Sequence, residues 1–448
     1  MKIKAPINSN YSAVVSHISN IITLDNCDNV VHAVIMGNMV IVSKGSCVGD
    51  IGLYFPVETQ LSHEYITNNN MYRHSEKNID NTKKGYFEDN GRIRSVKFRG
   101  HKSQGLFMPL SSLSFVLGGL LFTLLNEGDE FDEIKGINIC KKYIVKIRNK
   151  GTNLEGTGKR YKTKVSKIVD GQFKFHEDTN QFYKNYHKLE PESLISLTAK
   201  VHGTSAISSN ILCKRKLNSF EKFLKWMGVK LQEVEYDNIF SSRKVVKNDD
   251  LNVSQHFYDE NVWSNANDIL KEFLEYGMTI YYEIVGYTKS GGKIQGGPKG
   301  TCYDYGCESG EFKIYIYRIT YTNSEGKVFE FSMNQVNEWC TIRGLNPVTS
   351  LYYGKAIDLY SNLKANYKRS GNVERWQEQF FNTLKEDVNF HMEQLCPYCN
   401  DKVPFEGLVI RIDDKFENAA YKLKCERFYN METKMLDTGE TNLEDNDQ

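Results

Sequence analysis

Apolar and polar residues alternate in short runs over the first third of the chain, as in Ala33-Val34-Ile35-Met36 and Met39-Val40-Ile41-Val42, with Asn and Gly at the breaks. A period of two broken by turn residues predicts short strands, so residues 1–130 read as a small all-β barrel or sandwich. From about 128 to 190 the pattern gives way to a charged, glycine-dotted stretch, read as a linker (131–190) and the entry to a second domain. Beyond it the period changes repeatedly. Phe220, Phe223, Leu224, Met227 and Leu231 recur at helical spacing, which predicts an amphipathic helix over 219–234 with its apolar face packed. Residues 265–276 and 355–393 read as further helices. Residues 278–286, 312–321, 405–412 and 420–425 read as strands, and 433–448 as an acidic, disordered tail. The sum is an α+β chain, long enough at 448 residues for two or three cores.

Chemistry enters where these strands carry charge. Leu194, Ile195 and Leu197 lead into Lys200, followed by Val201, His202, Gly203, Thr204 and Ser205. A lysine leaving a buried strand can become a nucleophile, since desolvation and neighbouring cations lower its pKa. Gly203 allows close approach of a phosphate, and Thr204 and Ser205 offer hydroxyl donors. Strands 278–286 and 405–412 each hold one carboxylate, Glu283 and Glu406, and a carboxylate there is costly to bury without a cation or metal. Lys422 and Lys424 stand two apart and so share a sheet face.

Overall charge excludes little. With 57 Lys and Arg against 56 Asp and Glu the net charge is +1, and nucleic-acid binding depends on local surface instead. Two segments are locally basic. Arg92 and Arg94 would share one face of a strand, joined by Lys97 and Arg99 if a bulge intervenes, as a phosphate-tracking groove or as a solvated barrel face. Lys146 to Lys167 is either a nucleic-acid-facing surface or a solvated connection. The longest apolar run, Phe115 to Leu125, contains two glycines and is too short to span a bilayer, so a soluble cytoplasmic protein without membrane association is expected. Ten scattered cysteines read as free thiols by default. Cys396 and Cys399 could be half of a structural zinc site, with Cys302 and Cys307 as conceivable partners, although a lone pair at this spacing does not distinguish zinc from structural thiols.

The ordered set Lys200-x-x-Gly203, Glu283, the aromatic strand at Tyr317, Glu406-Gly407 and Lys422-x-Lys424 resembles the motif series of covalent nucleotidyltransferases, the superfamily of ligases and capping enzymes. Lys97-Phe98-Arg99-Gly100-His101-Lys102-Ser103-Gln104-Gly105-Leu106, Ile294-Gln295 and Tyr305-Gly306 are similar to phrases of one branch, the Deinococcus/Naegleria-type RNA ligases. The resemblance spans residues 1–430. It implies an N-terminal OB-type β-barrel (1–130) ahead of an adenylyltransferase domain (191–432) of antiparallel sheets with flanking helices.

The resemblance also implies roles. Lys200 would carry AMP from ATP, with Val201, Gly203, Thr204, Ser205 and Arg243 beside the nucleotide and Tyr317 stacked on its base. Glu283 and Glu406 would hold Mg2+ or Mn2+, while Lys422 and Lys424 would stabilise the phosphate in the transition state. His202 reads as a local hydrogen-bonder. Ala199 stands where such enzymes often carry Glu, and a long insert separates Ser205 from Arg243. The implied partner is RNA with 5′-phosphate and 3′-hydroxyl ends on a complementary strand, sealed by a monomer. Two other readings remain: an mRNA-capping guanylyltransferase, in which the OB domain usually follows the catalytic one, and a non-catalytic RNA-binding protein.

Overall fold

The computed structural model describes residues 3–118, 124–144, 167–247, 258–391, 395–414 and 418–438. The basic stretch ahead of Lys167 and the acidic tail beyond Thr438 lie outside the described residues. No described helix is long and apolar enough to cross a membrane. The chain divides into two units: Met1–Lys146 with Tyr429–Gly439, and Ile147–Phe428 with Glu440–Gln448.

The first unit is built of short strands: β1 (Ala13–His17), β2 (Asn20–Ile22), β3 (Val30–Ile35), β4 (Asn38–Ser43), β5 (Ile51–Phe55), β6 (Thr59–Leu61), β7 (Ser95–Phe98), β8 (His101–Gln104), β9 (Leu106–Pro109), β10 (Glu130–Phe131), β11 (Glu133–Ile134), β12 (Ile137–Asn138) and β13 (Cys140–Lys142). The expected alternation holds on β4, whereas on β3 Val31, His32 and Ala33 are all buried; the two strands form an antiparallel hairpin. Strands β10-β1-β5-β9 form one sheet and β2-β3-β4 another. Inward residues Ala13, Val15, Leu53, Phe55, Tyr65, Ile66 and Phe131 make the core, with Tyr65 on α1 (His63–Asn68). The unit extends past the expected boundary at 130, because β10 pairs with β1 and β13 with β6.

Its basic segment departs from the groove reading. Arg92 is buried, donating through Nε and Nη2 to Glu58 at 2.6 and 2.7 Å and through Nη1 to Asp437 at 2.8 Å. Thr433 Oγ1 donates to the same Glu58 at 2.9 Å. Arg92 therefore stabilises the fold, and residues 429–437, expected in the catalytic domain and tail, are helical and count with the first unit. The unit also holds a cavity of about 1050 Å³ whose lining includes Tyr86, Phe98, Phe107, Arg94, Asp50 and Glu88, an aromatic floor of mixed charge.

The second unit continues with β14 (Asn180–Gln181), β15 (Leu194–Ala199), β16 (Thr204–Lys214), β17 (Val234–Ser242), β18 (Met278–Gly286), β19 (Phe312–Thr322), β20 (Val328–Glu330), β21 (Ser350–Lys355), β22 (Gly407–Ile412) and β23 (Ala419–Lys424). They form two five-stranded sheets, β14-β23-β22-β15-β21 and β17-β16-β18-β19-β20. Every pairing except the parallel β14–β23 contact is antiparallel, as expected for this domain. A charged network joins the two sheets: Arg318 on β19 clasps Glu330 on β20 at 2.8 Å, and Arg411 on β22 lies 3.7 Å from Glu330 and 2.7 Å from Asp413.

Helix α2 (Ser114–Leu117) lies in the first unit, and α3 (Ser219–Trp226), α4 (Val262–Leu270), α5 (Met333–Ile342) and α6 (Ser361–Ser370) in the second. Two more follow, α7 (Val373–His391) and α8 (Glu426–Asp437). Helix α3 starts with a full capping box, Asn218 accepting from Glu221 N and Glu221 from Asn218 N. It stops at Trp226 rather than running to 234, where β17 begins, and buries none of its residues. Phe220, Phe223 and Trp226 are 67, 49 and 80% exposed, so the expected packed face is open.

Candidate active site

Strand β15 lies between β22 and β21 and delivers Lys200 at its end. Ala199 pairs with Leu408, and Lys200 N donates to Gly407 O at 2.9 Å. Gly407 is required here: its φ is +139°, and a Cβ would stand 2.2 Å from Leu423 O. This tight crossing sets Glu406 beside Lys200, with Nζ 3.0 Å from Oε1. Across the β22–β23 ladder Lys424 pairs with Gly407 and Lys422 with Val409. Lys424 Nζ lies 3.5 Å from the same Glu406 oxygen and 4.8 Å from the Phe428 ring centroid.

Glu406 is buried. Burial by itself raises its pKa, but Lys200, then Lys424, and a hydrogen bond from His202 outweigh that and hold it below the usual carboxylate range. His202 Nδ1 stands 3.5 Å from Glu406 Oε2, and Gln295 Nε2 lies 3.0 Å from His202 Nε2. The His202 ring packs edge-on to Tyr303 and Phe428, and its backbone N–H donates to Tyr305 Oη at 2.7 Å. The Gln295 and Tyr305 phrases thus meet at His202, and it is through His202 that they reach Glu406.

The other sheet supplies the opposite side. Gly203 precedes β16 where a Cβ would meet Ile284 O at 2.3 Å, so this glycine serves strand packing as well as any ligand. Val201, Thr204 and Ser205 are buried, and Trp263 Nε1 on α4 donates to Ser205 O at 3.1 Å. Ser205 pairs with Glu283, and Glu283 with Tyr315, which puts the three on one face. Between Tyr281 and Tyr282 the β18–β19 register shifts from Arg318 to Ile316, leaving Tyr317 as the extra residue of a bulge. A bulge re-aims its side chain, and Tyr317 Oη comes 3.2 Å from Ser205 Oγ.

Sequence reasoning assigned nothing to His176. Its ring sits edge-on to Tyr317, with centroids 5.1 Å apart. Its Nδ1 is enclosed, with no hydrogen-bond partner among the described residues. Burial, then the charges of Arg318, Arg243, Lys200 and Lys422, lower its pKa from 6.5 to about 3. His176 therefore lies, uncharged, among cations drawn from both sheets. Phe173 and Phe175 just before it, in an otherwise charged stretch, were the available signal. Arg243 is ion-paired with Asp178.

Lys200, Glu406, Lys424 and His202 are thus gathered at one strand end, with Lys422 on the same strand as Lys424; Ser205, Glu283 and Tyr317 stand on the second sheet. Among the described residues no three His, Cys, Asp or Glu side chains gather to hold a metal. Mg2+ and Mn2+ are commonly held by one or two carboxylates with water and phosphate supplying the rest; Glu283 lies on β18 and Glu406 just ahead of β22. The zinc set does not assemble. Cys302 Sγ donates to Gly286 O at 3.5 Å and Cys307 packs against Gly286, while Cys396 and Cys399 contact each other.

An OB-fold domain family matches residues 12–110. No curated protein matches the chain. Among solved structures, a mutant Naegleria gruberi RNA ligase with ATP and Mn is 16% identical, with 93% of this chain and 97% of that chain covered and a TM-score of 0.55. The same ligase with PPi is 14% identical, covering 94% and 98%, with a TM-score of 0.54. A mutant of it with AMP and Mn is 15% identical, covering 93% and 97%, with a TM-score of 0.53. The chain has the α+β fold of the Naegleria gruberi RNA ligase, with an OB-fold domain matched at residues 12–110 and two five-stranded sheets beyond it.

Proposed function

We propose that this protein is an ATP-dependent RNA ligase that joins 5′-phosphate and 3′-hydroxyl ends through a lysyl-AMP and an adenylylated RNA, at nicks held by a complementary strand. One observation carries the reading: Lys200, Glu406 and Lys424 meet at the end of a strand pair that only glycine at 407 permits. The likeness to a ligase seen with ATP, AMP and PPi supports it.

In this reading Lys200 Nζ, released from Glu406 and having given its ammonium proton to solvent, attacks the α-phosphate of ATP; an N–P bond forms and the bond to pyrophosphate breaks. Lys422 and Lys424 favour the uncharged amine that this attack requires, and they offset charge on the phosphate oxygens. Tyr317 stacks on adenine, while Ser205 and Thr204 offer hydroxyls near the nucleotide. A divalent cation held by Glu406 and Glu283 would neutralise phosphate charge during each displacement. AMP then passes to the RNA 5′-phosphate, and a 3′-hydroxyl displaces it to form the phosphodiester.

Incubation with α-labelled ATP and Mg2+ or Mn2+ should label the protein covalently, and Lys200→Ala should remain unlabelled. Preferential labelling by GTP would favour a capping enzyme, and no label from either nucleotide would favour an RNA-binding protein. A nick with an RNA 3′-hydroxyl strand should be sealed; equal sealing of an all-DNA nick would reject the RNA preference.

A further inference from the structure

The cysteine pair left over from the zinc reading is linked to the site just described through Asp304 and Tyr305. Cys399 Sγ donates to Cys396 Sγ at 3.4 Å; Cys396 is buried and Cys399 half-exposed. No third ligand joins them among the described residues. The turn that carries them is held by backbone bonds to one buried carboxylate: Asn400 N and Asp401 N both donate to Asp304 at 2.9 Å, and Gly306 N donates to the same group at 2.7 Å. Tyr305, between Asp304 and Gly306, faces both ways. Its two chain neighbours meet at the Asp304 carboxylate that also holds the cysteine turn, and its hydroxyl accepts from His202 N. The path from the sulfur pair to Glu406 therefore runs through Asp304, Tyr305 and His202.

We infer that Cys396 and Cys399 form a reversible disulfide with low-molecular-weight disulfides, and that its formation disturbs the Tyr305–His202 support of Glu406. The hydrogen bond from Cys399 favours the thiolate on Cys396, and Cys399 is the sulfur open to solvent. Cys399 loses its proton to solvent and attacks the oxidant's disulfide; a mixed disulfide forms and one small thiol leaves. The Cys396 thiolate then attacks the Cys399 sulfur, expelling the second small thiol. Two electrons pass from the pair to the oxidant. Closing the bond draws the sulfurs from 3.4 Å to about 2.05 Å. Asp304 ties the turn's backbone to residues 304–306, so the movement of the turn reaches Tyr305.

The chemistry at the pair stands by itself; its effect on Glu406 rests on the ligase reading. The full-length protein is equilibrated in glutathione buffers of stepped oxidised-to-reduced ratio, then alkylated, mapped by mass spectrometry and assayed for labelling by α-labelled ATP. The expected result is loss of two hydrogens in the peptide holding both cysteines and a fall in label of about tenfold, reversed by dithiothreitol. Cys396→Ser with Cys399→Ser should label equally in both states. Complete alkylation of the pair under the most oxidising buffer overturns the disulfide. A disulfide that forms without changing the label overturns the coupling. If the reduced protein takes no label at all, the ligase reading fails; the coupling is then read as the shift in melting temperature on oxidation, and no shift rejects it.

Discussion

Lys200 Nζ and Glu406 Oε1 stand 3.0 Å apart, and Lys424 Nζ reaches the same oxygen from 3.5 Å. One carboxylate thus balances two ammonium groups. Removing the carboxylate leaves both cations facing each other, whereas removing Lys200 leaves Glu406 with Lys424 and His202. Glu406→Ala should lower unfolding stability by about 3 kcal/mol, and Lys200→Ala by clearly less. Urea denaturation of the two variants decides this, and equal midpoints would reject the asymmetry.

Tyr317 has two separable features, a ring and a hydroxyl bonded to Ser205. If the ring stacks on the base, Tyr317→Phe should keep most of the affinity for ATP. Tyr317→Leu should raise the KM for ATP by roughly three- to tenfold, the worth of an aromatic pair. Initial rates of self-labelling at varied ATP concentration would show it, and a Tyr317→Phe loss as large as that of Leu would assign the role to the hydroxyl.

His176 makes stability depend on acid in a defined direction. Its pKa falls from 6.5 to about 3 on folding, so between those values the unfolded chain binds a proton that the folded chain refuses. Its contribution is complete above the unfolded value and is lost as pH falls toward about 3. Urea unfolding at stepped pH should show His176→Asn with a shallower decline over this window, by up to one proton. An unchanged slope would mean that His176 is protonated in the fold.

Much of this arrangement was legible in the chain because it is strand-encoded. Alternation predicted β3 and β4, the apolar runs predicted β18, β19 and β22, and the two-residue spacing of Lys422 and Lys424 put them on one face of β23. Contacts made across long separations were not legible. No local pattern joins Gln295 and Tyr305 to His202, or moves Tyr317 onto a bulge. Arg92 read as a surface cation because its partners, Glu58 and Asp437, lie far away in sequence. The helical period over 219–234 predicted a face but not what would cover it.

Arg92 also yields a stability test for the first unit. Arg92→Ala strands Glu58 in the interior and should cost about 3–5 kcal/mol. Arg92→Met with Glu58→Met removes both charges and should recover most of that loss, as measured by thermal or urea unfolding. A double variant no better than the single one would show that the hydrogen bond from Thr433 and the contact to Asp437, rather than the ion pair, carry the energy.

Helix α3 hangs from a ladder that is complete without it. Strands β16 and β17 stay in unbroken register out to Lys214 and Val234, and only beyond that pair does the chain leave the sheet. The excursion is thus a detachable tip. Replacing it with a short turn across Lys214 and Val234 would remove its solvent-facing aromatic rings, a solubility burden, while the register that positions Ser205 opposite Glu283 stays intact.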